Sequence, residues 1–257
     1  MPMEEGALLK TLPQPSAENL GRYYQSEDYI SHTDGNRNLF EKTYQLIKRF
    51  ALQRKISLIN SYSPGRNLLD IGCGTGDFLA AARRSGWKAS GTEPGEFARA
   101  LALGKDLDVR TDSNVFPPAS FDVITLWHVL EHVPDPDRQI REILRLLKPD
   151  GIAVIAVPNF RSADARHYGS NWAAYDVPRH LWHFSKTAIL NLATRHSMTV
   201  TRILPMWFDA FYVCLLSEKN RTGKMNVVKG LWQGLKSNVA ALRTGECSSQ
   251  IYVLRRK

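Results

Sequence analysis

An α/β fold is predicted, built on a parallel-rich sheet of seven strands with a helical cap in front and a helical insertion between the last two strands. Three observations predict it. Short apolar runs alternate with helical patterns from residue 66 onward, as strands joined by crossover helices do. Residues 68–79 read as a strand running directly into a glycine-rich turn and a helix. Helical periodicity at 38–58 and again at 227–242 lies outside that alternation. The 257 residues suffice for one large domain or a domain with an added cap, and 43% hydrophobic with 23% charged residues excludes a disordered chain.

The elements follow in order. Pro2, Pro13 and Pro15 discourage regular structure at the start, where a loose tail is expected. In 38–58, Leu39, Tyr44, Leu46, Ile47, Phe50, Ala51 and Ile56 fall at helical spacing among Lys and Arg, which predicts one or two amphipathic helices. Residues 1–60 are therefore read as tail and cap, and 61–257 as the main domain, divided from it by the Ser63-Pro64-Gly65 break. Strands are expected at 67–71, 88–92, 109–110, 121–126 and 151–157, with helices at 77–84, 96–103 and 137–147. Ser185 is a candidate N-cap for a helix ending near His196. The last two strands, 199–204 and 250–254, flank an insertion over about 205–248.

The purest apolar run, 152–158, is strand-sized and far short of the roughly 18 residues of a membrane span. Glu4 and Glu5 stand where a secretory leader would be basic, so a cytoplasmic location is expected. Cys73, Cys214 and Cys247 are scattered and form no C-x-x-C pair, and free thiols are expected. The net charge of +9 sits mostly in residues 201–257, which carry +7. Such a surplus meets nucleic acid, anionic lipid or an anionic substrate, or is a solvated face. Within the insertion, Val227, Val228, Leu231, Trp232, Leu235, Val239 and Leu242 form a helical stripe flanked by Lys224, Lys229, Lys236 and Arg243. Either the stripe packs on its own domain or the helix makes a peripheral contact with a membrane surface. The apolar cluster 206–215, interrupted by Asp209, lines an acceptor pocket or belongs to the core.

The glycines at 72, 74 and 76 permit positive φ and let a ligand lie on bare amides, at the carboxyl end of a parallel strand. The dinucleotide pattern G-x-G-x-x-G fails because position 77 is Asp. Asp70-Ile71-Gly72-Cys73-Gly74-Thr75-Gly76 instead resembles the first motif of class I S-adenosylmethionine-dependent methyltransferases, an acid followed by G-x-G-x-G. The resemblance implies a Rossmann-like methyltransferase sheet, S-adenosyl-L-methionine as cofactor and S-adenosyl-L-homocysteine as its product. It also implies that Asp70 lies near the methionine moiety. Glu93, at the end of the strand 88–92, is suited to accept hydrogen bonds from both hydroxyls of a ribose. Asp112 takes the family's adenine position. The stretch 121–136 and the turn Leu146-Leu147-Lys148-Pro149-Asp150-Gly151 resemble the family's later motifs. Carried onto this chain, the cofactor contacts are Asp70, Gly72, Cys73, Gly74, Gly76, Phe78, Glu93, Pro94, Asp112 and Trp127.

Methyl transfer is an in-line displacement at about 3 to 3.5 Å, and a hydroxyl acceptor must also lose its proton to a base or be bound to a metal. His128, Glu131 and His132, spaced i, i+3, i+4, would meet if the segment opens a helical turn. They could be a base with its carboxylate, or ligands of a divalent cation. Leu130 to Pro136 is similar to the ubiquinone-biosynthesis O-methyltransferases, in which an acid, Glu and His are linked to a divalent metal, with His128 here in place of the first acid. The segment 172–185 resembles the W-x-x-x-D-x-P-R-H-L-x-H-F-S pattern of a broad group of uncharacterised bacterial methyltransferases. It adds Asp176, Arg179, His180 and His183, and His180 is a second candidate base. Tyr23 and Tyr24 could close over the cofactor as a lid. The expected function is methyl transfer to a small-molecule acceptor, a hydroxyl of a phenol, sugar or lipid-linked compound. The alternatives are an RNA methyltransferase using the basic C-terminal region and a non-catalytic cofactor binder. Residues 125–128 lack the motif of enzymes that methylate exocyclic base amines, and no RNA-binding module is recognisable, so a nucleic-acid partner is not expected.

Overall fold

The computed structural model describes residues 7–16, Asn19, Tyr23, 39–62 and 65–257, with side chains in the first helix described from Lys48 onward. Tyr24, Pro2 and the side chains of Leu39, Tyr44, Leu46 and Ile47 lie outside the described residues. In chain order the elements are β1 (Leu8–Lys10), α1 (Leu39–Tyr62), β2 (Asn67–Ile71), α2 (Asp77–Arg84), β3 (Lys88–Thr92), α3 (Glu96–Leu103), β4 (Asp108–Arg110), β5 (Phe121–Trp127), α4 (Pro136–Leu146), β6 (Leu147–Pro158), α5 (Ala163–Tyr168), β7 (Trp182–Phe184), α6 (Lys186–Arg195), β8 (Met198–Pro205), α7 (Trp207–Thr222), α8 (Val227–Thr244) and β9 (Ser249–Arg256). Seven strands form one sheet in the order β4-β3-β2-β5-β6-β9-β8, as the alternating pattern predicts. The described residues divide into two compact units, one lying within 15–126 and 142–153, the other within 1–14, 127–141 and 154–257.

In the first unit, β2 pairs in parallel with β3 on one side and with β5 on the other, so the connection order reverses at β2. Loops at the carboxyl end of such a strand are the usual ligand sites of open parallel sheets. The expected one or two cap helices are a single α1, which buries Ile56 and Ile59. Its Asn60 Oδ1 accepts hydrogen bonds from Trp87 Nε1 at 2.9 Å and from Arg66 Nη1 at 2.8 Å. The strand expected at 151–157 starts earlier, at Leu147. Lys148 Nζ pairs with Asp122 Oδ1 at 2.9 Å, and a Cβ on Gly151 would stand only 3.1 Å from Asp122 O, so the turn residues lie flat against β5.

In the second unit the expected loose tail proves to hold a strand. β1 pairs antiparallel with β7, and Ser185 Oγ donates to Ala7 O at 2.6 Å. Pro13 and Pro15 lie beyond that strand and do not prevent it. Ser185 caps α6 as expected, accepting from Ala188 N. α5, which the sequence pattern does not announce, begins at the N-cap Ser162. Its Asp164 is fully buried and accepts from Trp172 Nε1 (2.7 Å), Ser237 Oγ (2.6 Å) and Ser248 Oγ (2.7 Å), a carboxylate compensated by three donors. The insertion is a helical pair, α7 and α8, between antiparallel β8 and β9.

Candidate active site

The glycine turn between β2 and α2 takes its shape from three left-handed residues, Gly72, Gly74 and Gly76, with φ of 68°, 54° and 80°. Two of the nearby glycines are required by packing. A Cβ on Gly76 would lie 2.4 Å from Leu107, and one on Gly91 would lie 2.8 Å from Cys73 Sγ. Gly74 differs, since a Cβ there would meet nothing within 4 Å, so its bare backbone borders open space. That amide is fixed in direction by Glu93, whose Oε2 accepts from Gly74 N at 2.9 Å while Oε1 accepts from Gly95 N at 2.8 Å. A carboxylate has about four lone-pair sites, so both oxygens retain capacity for a diol. The predicted pair of turn and glutamate is therefore brought together.

Asp70, the last-but-one residue of β2, is 3% exposed and accepts from Thr125 Oγ1 of β5 at 2.6 Å. Burial pushes its carboxyl up to about 7, against the opposing effects of Thr125 and Lys55, with Glu93 adding to the rise. Cys73 is buried among Leu79, Ala102, Leu107 and Val109, and burial raises its thiol, so it is a packing residue without thiolate character. All three cysteines are free, as expected. Phe78 is buried on α2, Pro94 is exposed after β3, and Asp112 caps a short turn by accepting from Asn114 N at 2.8 Å. Asp77, whose identity excludes the dinucleotide pattern, is held between Lys48 at 2.6 Å and Lys105 at 2.8 Å. Burial alone would raise Asp77, but those two lysines hold it below its usual value. A nucleoside cofactor fits this cradle. It has an open amide surface, an aligned carboxylate and a buried acid.

The second unit carries the histidines. Trp127 ends β5, and His128 follows in the left-handed region at φ 57°, its N–H bonded to Ala156 O at 3.0 Å. Residues 128–133 are tied to the segment before β7, because Leu181 N and Trp182 N both donate to Glu131 O, and Trp182 Nε1 donates to Val133 O at 3.0 Å. This backbone tie, which spacing could not reveal, gathers His128, Glu131, His132 and His180.

The three imidazoles are chemically distinct. His128 Nε2 lies 2.9 Å from Asp209 Oδ2 and its Nδ1 3.4 Å from Glu131 Oε1. Burial alone would lower it, but the hydrogen bonds to Asp209 and Glu131 outweigh that and push it up to about 10, so it is an imidazolium near neutrality. His180 is 8% exposed and its Nδ1 donates to Ala174 O at 2.8 Å. Burial lowers it to about 4 in spite of Glu131 and Asp176, which keeps it neutral. His132 Nδ1 stands 3.1 Å from the carbonyl oxygen of Arg179. A carbonyl can only accept, so the proton sits on Nδ1 and Nε2 is the acceptor nitrogen. His132 and His180 meet edge to face with centroids 4.5 Å apart. Arg179 pairs with Asp176 at 2.6 Å. His183 is buried, with Nε2 3.0 Å from Thr11 Oγ1 and Tyr175 edge-on at 5.0 Å, a structural placement apart from the trio.

Among the described residues, Glu131, His132 and His180 each offer a ligand atom within 4.8 Å of the others. Glu131 is 1% exposed, and its Oε2 has no hydrogen-bond partner. Burial would raise Glu131, but His128 and the other imidazoles hold it below its usual value and therefore charged. That donor set suits a divalent cation of the first transition row. It differs from the spacing expectation in that His180 replaces His128. Asp209 was visible in the sequence as the one acid in an apolar run. Its function as the partner of His128 was not.

A family model described as a methyltransferase domain matches residues 36–202. The chain is 35% identical over 109 residues to a ubiquinone biosynthesis O-methyltransferase of Haemophilus ducreyi, an alignment covering 37% of this chain and 46% of that one. The chain thus spans about half the length of the curated relatives it matches. Among solved structures, the geranyl diphosphate C-methyltransferase of Streptomyces coelicolor superposes with a TM-score of 0.62 at 15% identity, covering 95% of this chain and 100% of that one. A phosphoethanolamine N-methyltransferase of Haemonchus contortus superposes at 0.59 with 17% identity, covering 93% and 59%. At such identities the likeness is one of fold, and it spans proteins named for methylation at carbon and at nitrogen.

Proposed function

The chain belongs to the methyltransferase-domain family, and from that premise we propose that it transfers a methyl group from S-adenosyl-L-methionine to a hydroxyl of a small molecule. One observation carries the reading. The Gly74 amide borders open space and is held by the same Glu93 carboxylate that keeps lone pairs for a ribose. When bound, the cofactor would supply a methyl group carried on a positively charged sulfur. Glu93 would hold its diol, Gly74 would give the nucleoside a bare edge, and Asp70 would stand as the negative partner to a cationic ligand. His132 accepts the hydroxyl proton at Nε2, in the tautomer that Arg179 O enforces. His128, charged between Asp209 and Glu131, fixes the loop and contributes positive potential. The oxygen acceptor is supported by the ubiquinone-pathway relatives, whose names specify O-methylation.

A second reading is favoured by the partnerless oxygen of Glu131. Glu131, His132 and His180 would hold a divalent cation, which supplies Lewis acidity that lowers the pKa of a bound hydroxyl. In that case His132 is a ligand.

The experiment is incubation of the purified chain with methyl-labelled cofactor and a fractionated metabolite extract, with and without EDTA. Label in a small molecule, stable to conditions that cleave methyl esters and recovered on oxygen, supports the reading. Label only in added RNA, or tight cofactor binding with no transfer, overturns it. Activity that EDTA abolishes and a divalent cation restores selects the metal form, and EDTA-insensitive activity selects the base.

A further inference from the structure

Of the two readings of its apolar stripe, the structure excludes packing on the domain: helix α8 packs through the opposite face. Its buried face is made of small residues, Gly230, Gly234, Ser237 and Ala241, and the two glycines meet α7. A Cβ on Gly230 would come 3.0 Å from the Leu215 Cα, and one on Gly234 would come 2.9 Å from that of Phe211, so the backbones touch where a larger residue could not fit. The large apolar residues point away from that buried face. Val228, Leu231, Trp232, Leu235, Val239 and Leu242 are exposed, Val228 at 79%, Trp232 at 57% and Leu242 at 73%. At about 100° per residue these six fall within an arc of about 100°. Lys229, Lys236 and Arg243 line one edge of that arc, and Lys236 Nζ lies 5.4 Å from the Trp232 ring. From Lys219 to Gly245 the chain carries six cations and no acid.

An exposed apolar stripe of this extent marks an interaction surface. Its charge selects the occupant. A second copy would bring the same cations to the contact, which like-charge repulsion opposes. A surface that is apolar a few ångströms down and negative at its edge matches both features. We propose that α8 is a membrane-surface helix, which lays Val228, Leu231, Trp232, Leu235, Val239 and Leu242 into the headgroup boundary of an anionic bilayer while Lys229, Lys236 and Arg243 meet lipid phosphates. The helix lies in the plane, since no described helix is long and apolar enough to cross a membrane. Trp232 suits the interfacial depth, where an indole ring is favoured. Asn226 caps the helix at its start and Gly245 ends it, so the surface is preformed.

The test is flotation of the full chain with vesicles of phosphatidylcholine alone and of phosphatidylcholine mixed with phosphatidylglycerol, at low and high salt. Binding is expected to the anionic vesicles, weakened by salt and weak on the neutral ones. Each cation at such a surface is worth about fivefold in affinity, so Lys229→Glu with Lys236→Glu should reduce binding at least tenfold. Trp232→Ser with Leu235→Ser should reduce it comparably without changing the salt response. All four positions are exposed, and far-ultraviolet circular dichroism with cofactor binding verifies that both variants fold. Absence of binding to anionic vesicles at low salt overturns the proposal, as does binding by both variants at the level of the native chain. Self-association lost in Trp232→Ser, Leu235→Ser without vesicle binding overturns it in favour of a second copy. None of these readouts depends on methyl transfer.

Discussion

His128 Nε2 stands 2.9 Å from Asp209 Oδ2, which ties the first residue after β5 to the first turn of α7. The bond gives the loop of residues 128–132 an anchor outside its own residues. It also links the insertion to residues 128–132, whose backbone is otherwise held by Leu181 and Trp182.

Replacing Asp209 by Asn keeps the shape and removes the charge. The pair is partly solvated, so the stability loss should be about 1 kcal/mol in denaturant unfolding. Turnover should fall about tenfold through misplacement of the loop, with cofactor affinity unchanged, since Glu93 and Gly74 are untouched. Asp209→Glu should restore part of kcat. If the Asn variant turns over at the wild-type rate, the tether has no catalytic consequence.

Glu93 accepts two backbone N–H bonds and is proposed to accept two more from a ribose. Glu93→Gln keeps the size, loses the charge and replaces one acceptor by a donor, which leaves a glycine amide facing an NH₂. Charge-assisted bonds contribute about 1.5 to 3 kcal/mol each, so the cofactor Kd should rise about tenfold to a hundredfold by calorimetry. An unchanged Kd would remove Glu93 from the ribose site.

Asp70 gives a pH dependence opposite in sign to the usual carboxylate. Burial raises it from 3.8 to about 7 in the folded chain, so between those values the folded state holds a proton that the unfolded state has released. Stability is therefore greatest at and below the lower value and falls as pH rises toward about 7, at up to about 1.4 kcal/mol per pH unit. Asp70→Asn should flatten that slope in unfolding curves taken from pH 4 to 8. A cationic ligand favours the ionised acid, so cofactor affinity should strengthen through pH 7 in the native chain and not in the variant.

Much of this was legible in residue order. The strands and helices from 67 to 110 fall where alternation and glycine placement put them, because each is decided by local pattern. The turn and Glu93 were legible for the same reason, as 19 positions of sequence separate Gly74 from Glu93 across adjacent parallel strands. What could not be read depends on distant pairing. β1 exists only because β7 is there to pair with it, and His180 joins Glu131 and His132 only because Leu181 N reaches Glu131 O across 50 residues. The packed face of α8 was hidden for another reason. Periodicity identifies a large apolar stripe, but close packing here uses glycines, which carry no hydrophobic signal.

The glycine turn offers a way to separate fold from ligand binding within three residues. Gly74 and Gly76 both have positive φ, so Ala at either position costs about 1 kcal/mol of backbone strain. Their surroundings then diverge. At Gly76 the new methyl would sit 2.4 Å from Leu107 and 3.1 Å from the Ala102 Cβ, inside the cluster that also holds Cys73 and Leu79. Overpacking there adds about 1 to 3 kcal/mol, so Gly76→Ala should lower the unfolding midpoint clearly. At Gly74 the methyl meets no protein atom within 4 Å, so Gly74→Ala should unfold within about 1 kcal/mol of the native chain. Its methyl would instead occupy the space beside the amide that Glu93 aligns, and the cofactor should bind at least tenfold more weakly. Measured together by denaturant unfolding and calorimetry, the two variants should therefore reverse rank between stability and affinity. Should Gly74→Ala bind the cofactor like the native chain, the open side of that turn is not where the nucleoside lies.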